Sequence, residues 1–468
     1  MEPTISTTDL SHPFAPSSTD QVLAARPHKL LSLFMLLALP RTLLGDPSAV
    51  SVDATNEVRE QRWNFHAQNT DVVQYHPAFH ADYSGPHSLS KNEETKETVS
   101  VDLLGGVRPW EGAGLYLDAL TWQGFGLSDA YGIEAFPNGE AFRVGTTDPN
   151  FTLDRVFLRQ VIGLGGEQEA IEDDALQLAG KQDVRRVSIT LGKFSVKDIF
   201  DNNAYANDPR TQFMNWSLMA NGAFDYSADS LGYTHGFAVE LNEQQWAVRY
   251  GIFQVPKVSN LMAHDWHLLK AWQMPAELER RWTADDHPGT VRLLAYVMRA
   301  HMGSFEAALD SPTRPADIVA TEKYRYKFGV GLNVEQEVVK DVGVFSRLGW
   351  NNDRTEPWCF NDVGYTGSGG VSVKGEPWRR PNDTLGAAFV VSGISRIHQE
   401  FLEAGGTGIL AGDGNLSYGL EKVVETYYDF QVCKSVRVAI DFQYIEDPAF
   451  NRDRGPVEGV GGRLHWEF

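Results

Sequence analysis

From about residue 62 to its end the chain alternates apolar and polar residues in stretches separated by turn chemistry. The clearest stretch sets Tyr324, Tyr326, Phe328, Val330, Leu332 and Val334 against Arg325, Lys327, Gly329, Gly331, Asn333 and Glu335. A period of two places the two sets on opposite faces of a strand. The last fifty residues repeat the pattern, with Val436, Val438, Ile440, Phe442 and Tyr444 on one face and Arg437, Ala439, Asp441 and Gln443 on the other. The terminal Leu464, Trp466 and Phe468 oppose Arg463, His465 and Glu467.

About sixteen such stretches are predicted as strands, near 62–75, 96–107, 113–123, 153–164, 185–196, 232–242, 245–254, 272–282, 290–303, 324–337, 342–352, 363–375, 383–395, 416–432, 436–447 and 460–468. Their connections alternate in length. Asn242–Gln244, Val338–Asp341 and Cys433–Ser435 are tight, whereas those near 255–271, 304–323, 396–415 and 448–459 are long. Outer-membrane β-barrels combine short periplasmic turns, long external loops, a lipid-facing apolar face and a polar lumen. The expected fold is therefore an all-β transmembrane antiparallel barrel over residues 62–468, its last strand pairing with the first near Trp63. A half-buried strand of a soluble sheet explains one alternating stretch as well, and a soluble all-β binding protein is the corresponding alternative. The acidic connection near 165–184 conflicts with the length rule, because the strand count puts it at the short-turn end.

Ahead of the barrel, Arg26 and Lys29 precede the apolar run Leu30–Leu39, which closes at Pro40. A core this short after positive charge reads as a secretory signal. Residues 1–45 are assigned to that signal with an amino-terminal extension, and 46–61 to a short connecting segment. Export through the periplasm to the outer membrane of a Gram-negative bacterium follows, with Phe468 as the contact to the barrel-assembly machinery and a homo-oligomer as a possible assembly.

Composition narrows function more than fold. No stretch of eighteen apolar residues occurs, which argues against a helical membrane bundle. The formal charge of -21, from 62 acidic and 41 basic residues, disfavours nucleic acid as a partner. Cys359 and Cys433 lack CxxC spacing, arguing against zinc. They fall on opposite sides of the membrane, so no disulfide is expected between them. His66, His76, His80 and His87 lie in a strand and loop without HExxH, and no GxSxG elbow accompanies them. A barrel hydrolase is thus the weaker functional class, and no cofactor or metal is expected.

By this register the lumen wall carries Arg249, Arg325, Lys327, Asn333, Glu335, Arg347, Glu425, Tyr427, Asp429, Gln431, Arg437, Asp441 and Gln443. Mixed charge suits neutral polar solutes as well as ions, leaving a general or other-solute porin open. The connection Gly192–Asp229 is crowded with carboxylates, amides and aromatics, including Asp198, Asp201, Asn203, Arg210, Asn215, Trp216 and Asp225. Amides and carboxylates satisfy sugar hydroxyls, and aromatic faces cover a pyranose ring. As the external connection after the fifth strand, it is positioned to fold inward and narrow a pore.

Several segments resemble the carbohydrate-selective porin family of the OprB type: FPNGEAFRVG (Phe136–Gly145), FLRQVIGLGGE (Phe157–Glu167), the block Gly192–Met219, ETYYDFQV (Glu425–Val432), NRDRGPV (Asn451–Val457) and the early run Trp63–Leu89. The resemblance implies a sixteen-stranded barrel passing glucose-like monosaccharides by facilitated diffusion without a cofactor. It also implies a constriction of arginines, acids and aromatics. By motif, Glu140, Arg143, Arg155, Arg159, Asn203, Arg210, Asn215 and Trp216 are its candidates, joined from the wall by Arg325, Lys327, Glu335, Arg347 and Asp441. The long amino terminus and the two cysteines depart from the pore's needs.

Overall fold

The computed structural model describes residues 60–141 and 145–468, so the proposed signal segment and Arg143 lie outside the described residues. The alternating stretches become β1 (Trp63–His76), β2 (Glu94–Val107), β3 (Ala113–Gly124) and β4 (Thr146–Gly163). Two short strands follow, β5 (Gln168–Ile171) and β6 (Gly180–Asp183), then β7 (Arg186–Phe194), β8 (Thr234–Asn242), β9 (Trp246–Phe253) and β10 (Trp272–Ala284). The remainder are β11 (His287–Met302), β12 (Lys323–Val339), β13 (Val342–Asn351), β14 (Tyr365–Gly375), β15 (Arg380–Gly393), β16 (Glu421–Cys433), β17 (Val436–Glu446) and β18 (Val457–Glu467).

All of these except β5 and β6 form one closed antiparallel barrel of sixteen strands in sequence order, with β18 pairing β1. Closure leaves no edge, so every strand satisfies its backbone groups within the wall, as lipid requires. The seam runs from Gln68↔Glu467 to Tyr75↔Val460. It is extended by the Phe468 amide donating to the Ala67 carbonyl at 3.0 Å. The expected seam near Trp63 thus begins four residues later, and Trp63 projects beyond the carboxyl end.

The predicted faces hold. Ile440 is 68% exposed and Val330 54%, whereas Arg347, Glu425 and Asp429 are fully enclosed. Exposed apolar groups on the outside of a closed barrel are its lipid-contact surface. Arg463 and His465 point inward as expected, but both are buried and not bathed in water. β4 starts seven residues earlier than predicted and β16 five residues later.

The acidic connection 165–184 does lie at the short-turn end, as the strand count required. It folds into the β5–β6 hairpin, with Gln168 opposite Asp183. At the other end, the loops carry α2 (Phe305–Asp310) and α3 (Arg396–Glu403), each capped by a serine hydroxyl, Ser304 and Ser395. Phe305 stacks on His398 with centroids 4.0 Å apart and packs at a tilt on Phe401 at 5.0 Å, tying the external loops into one apolar cluster. Among the described residues no helix is long and apolar enough to cross a membrane.

Candidate functional site: an inward loop facing an arginine–carboxylate wall

Segment 195–233 leaves the external end of β7 and runs back inside the barrel. Such a segment must find partners for its backbone groups within the lumen, and wall carboxylates accept from its amides. Glu425 takes Met214 N at 2.6 Å and Asn215 N at 3.0 Å, Glu335 takes Ala204 N at 2.7 Å, and Glu277 takes Asp201 N at 2.8 Å. Wall arginines donate to its carbonyls. Arg347 reaches Leu218 O and Ala206 O, both at 2.7 Å, and Arg463 reaches Pro209 O at 2.7 Å.

Most of the candidate residues therefore fasten the loop. Asn203 donates to Asn333 at 2.8 Å and accepts from the amides of Tyr205 and Ala206. Asn215 caps α1 (Trp216–Met219) through Ser217 N and donates to Gln443 at 3.0 Å. Lys327 pairs with Asp225 at 2.9 Å, and Arg347 with Asp201 at 3.1 Å, all four side chains at most 3% exposed. Asp441 accepts from Gln443 at 3.0 Å. Trp216 is stacked on Phe136 at 4.8 Å and packed on Phe360 at 4.5 Å, leaving 6% of it exposed. Enclosed this way, it offers no open face to a solute. Arg325 sits apart, at the external end of β12, donating to the Met302 and Thr321 carbonyls.

The opposite wall, β2 to β4, is different. Asp118 pairs with Arg155 while Ala119 pairs with Leu153, so Asp154 is an extra residue in β4. A bulge of this kind re-aims side chains. Here it leaves Asp154 fully buried beside Arg155, adding an acid to the inner face. Arg155 grips Asp198 through two bonds of 2.8 Å, reaches Asp118 at 2.6 Å, and lies 4.8 Å from the Tyr233 ring centre. Below it, Arg210 bridges from the loop to Asp102 at 3.1 Å and Glu140 at 3.0 Å. Glu140 also accepts from Ser100 at 2.8 Å. Both arginine side chains remain 15% exposed. Asp102 Oδ1 and Asp118 Oδ1 accept no hydrogen bond among the described residues. Arg159, four residues further down β4, covers Tyr116 and Phe157 at 5.6 and 5.3 Å.

The strip thus joins four of the motif candidates, Glu140, Arg155, Arg159 and Arg210, with groups that sequence reading passed over. Asp102, Asp118 and Tyr233 were missed. The signal was present in part, since Asp102 and Asp118 both occupy the inward phase of their strands. Among the described residues, no group of histidine, cysteine and carboxylate side chains is arranged to hold a metal. Both cysteines are unpaired, Cys359 buried in an external loop and Cys433 exposed at the far end.

A closed sixteen-stranded barrel with an apolar exterior, short turns at one end and a loop folded into a charged lumen is an outer-membrane porin. The family model described as carbohydrate-selective porin, OprB family, matches residues 86–468, and the chain belongs to that family. It is accordingly a carbohydrate channel of the outer membrane, and both family and fold are those of channels rather than enzymes. Pseudomonas putida OprB, in its high-pH structure, superposes with a TM-score of 0.66 at 16% identity, covering 87% of this chain and 94% of that one. The outer membrane channel DcaP of Acinetobacter baumannii aligns at a TM-score of 0.46 and 9% identity, over 87% and 97%. A search of curated proteins returned no match.

Proposed function

We propose that this chain admits glucose-like monosaccharides by facilitated diffusion and that the β2–β4 strip is where they are sensed. The observation that carries this reading is the pairing of partly exposed arginines with partly exposed carboxylates in one lumen strip, Arg155 with Asp198 and Arg210 with Glu140. Asp102 and Asp118 are closed off from solvent and hold the arginines in place, whereas Asp198 and Glu140, 19% and 10% exposed, offer acceptors and the partly exposed Arg155 and Arg210 offer guanidinium donors to sugar hydroxyls. Alternating donors and acceptors replace the hydration of a polyol without holding it, as conduction requires. Glu140, Arg143, Arg155, Arg159 and Arg210 are the proposed solute contacts. Asn203, Asn215, Trp216, Lys327, Glu335, Arg347 and Asp441 act by positioning the loop, and Arg325 belongs to the external mouth.

The same reading includes export and assembly. Residues 1–45 direct export through the periplasm and are removed, residues 62–468 form the barrel, and Phe468 is recognised during insertion. The mass of the mature protein tests the first point. Sugar-dependent reduction of ion current in planar bilayers tests the channel reading. A current indifferent to monosaccharides overturns sugar recognition and leaves a general porin.

A further inference from the structure

The short-turn end of the barrel is divided between a covered side and an open one. On the covered side, the β5–β6 hairpin lies across the inner wall from β4 to β1. Asn64 Nδ2 holds its tip through Asp173 Oδ1 and the carbonyls of Asp174 and Gln177, at 2.9 to 3.0 Å, and Arg159 holds Leu176 O at 3.2 Å. Leu178 is buried in the same cluster as Tyr116 and Phe157, so the hairpin is packed and not draped. On the other side, between the inward loop and the lower ends of β12 to β18, lies a cavity of about 390 Å³. That falls within the ~300–1,000 Å³ span of small-molecule sites.

Tyr205 is the aromatic wall of this cavity. Its backbone amide is pinned to Asn203 at 2.9 Å. A Cβ at Gly343 would stand 2.0 Å from its ring, so only glycine lets the ring lie against β13. The ring is half-buried, unlike Trp216. Around it stand Lys374, which donates to Thr384 at 3.1 Å and has further N–H groups to offer, and Glu467, whose side chain is 55% exposed.

We propose that this cavity is an exit-side carbohydrate subsite, in which a pyranose rests on Tyr205 between Lys374 and Glu467 after passing the constriction, because the hairpin closes the β1–β4 half of the exit. The inference rests on the sugar-channel reading above. It gives the channel two binding stations in series, the lower one set by the loop tip and not by the arginine strip.

Sugar block measured with the solute added to one side at a time separates the two claims. In the wild-type channel, glucose reduces current from both sides. Tyr205→Ala should raise the half-blocking concentration for glucose added at the short-turn side about fivefold, with block from the loop side nearly unchanged. Tyr205→Phe should keep wild-type block. Thr211→Trp, which fills the cavity from the loop, should weaken short-turn-side block without touching Tyr205, so it serves if the alanine variant assembles poorly. Wild-type block with both variants indistinguishable from it overturns the subsite while leaving the channel reading intact. Absence of block in the wild type from either side overturns both.

Discussion

Arg155 shows how much depends on single side chains. It pairs with both Asp118 and Asp198, and the bulged Asp154 adds a further acid beside them. Arg155→Gln should therefore make the strip more negative. Reversal potentials across a salt gradient should move toward cation selectivity, and glucose block should weaken. An unchanged reversal potential would show that ions avoid this wall. Arg347 makes a contrasting case, since it is wholly enclosed and holds Asp201 and two loop carbonyls. Breaking such a buried pair costs about 3–5 kcal/mol. Arg347→Met should lower the thermal unfolding temperature in detergent and produce noisy, larger currents as the loop detaches, which single-channel records would show.

Among the external loops, burial and the neighbouring Asp362 and Glu421 carboxylates push Glu134 well above the usual carboxylate range, and burial raises Glu356 to about 7. An acid whose folded-state value is raised favours folding fully below its unfolded value near 4.5. That contribution is lost as pH rises through the folded value. His398, which donates toward Asp353 and faces Asp362, is packed in the same region. The loop layer should thus resist protease better at pH 5.5 than at pH 8, and the double variant E134Q/E356Q should flatten that difference. Equal digestion of the wild type at both values would contradict the account.

Among the elements, the strands were readable and the inward loop only partly so. Period-two patterning is a local property, and each strand of a closed barrel has one lipid face and one lumen face, so parity alone sorted Tyr326 from Lys327 and Ile440 from Asp441. The loop is different. Its composition announced polar chemistry, yet whether Trp216 faced solute or Phe136 depended on Tyr226 further along the same loop and on Phe136 and Phe360 from two other segments. The bulge at Asp154 was equally hidden, because one added residue in a strand leaves no mark unless both partners are aligned. The hairpin at 165–184 looked like an error of register and is a real departure from short periplasmic turns. Replacing residues 168–183 by a two-residue turn should raise single-channel conductance and admit larger saccharides in liposome swelling. Conductance equal to wild type would mean that the hairpin leaves the exit unobstructed.

For the whole molecule, closure and selectivity are handled by different parts of the chain. The seam depends on β18, and the terminal Phe468 continues it through Ala67 while its ring meets Trp466 at 5.2 Å and Phe65 at 6.2 Å. Deleting Phe468 should reduce the amount of barrel in the outer membrane while assembled channels conduct as before. The arginine strip, by contrast, lies on the wall from β2 to β4, with its acids supplied partly by two inward loops. The central claim is that this strip recognises sugars. Its most direct test is single-channel current through wild-type and Arg155→Gln/Arg210→Gln channels during titration with glucose. The account predicts concentration-dependent block in the wild type and its loss in the double variant, with both proteins folded as heat-modifiable barrels. Equal block in the two channels would contradict it.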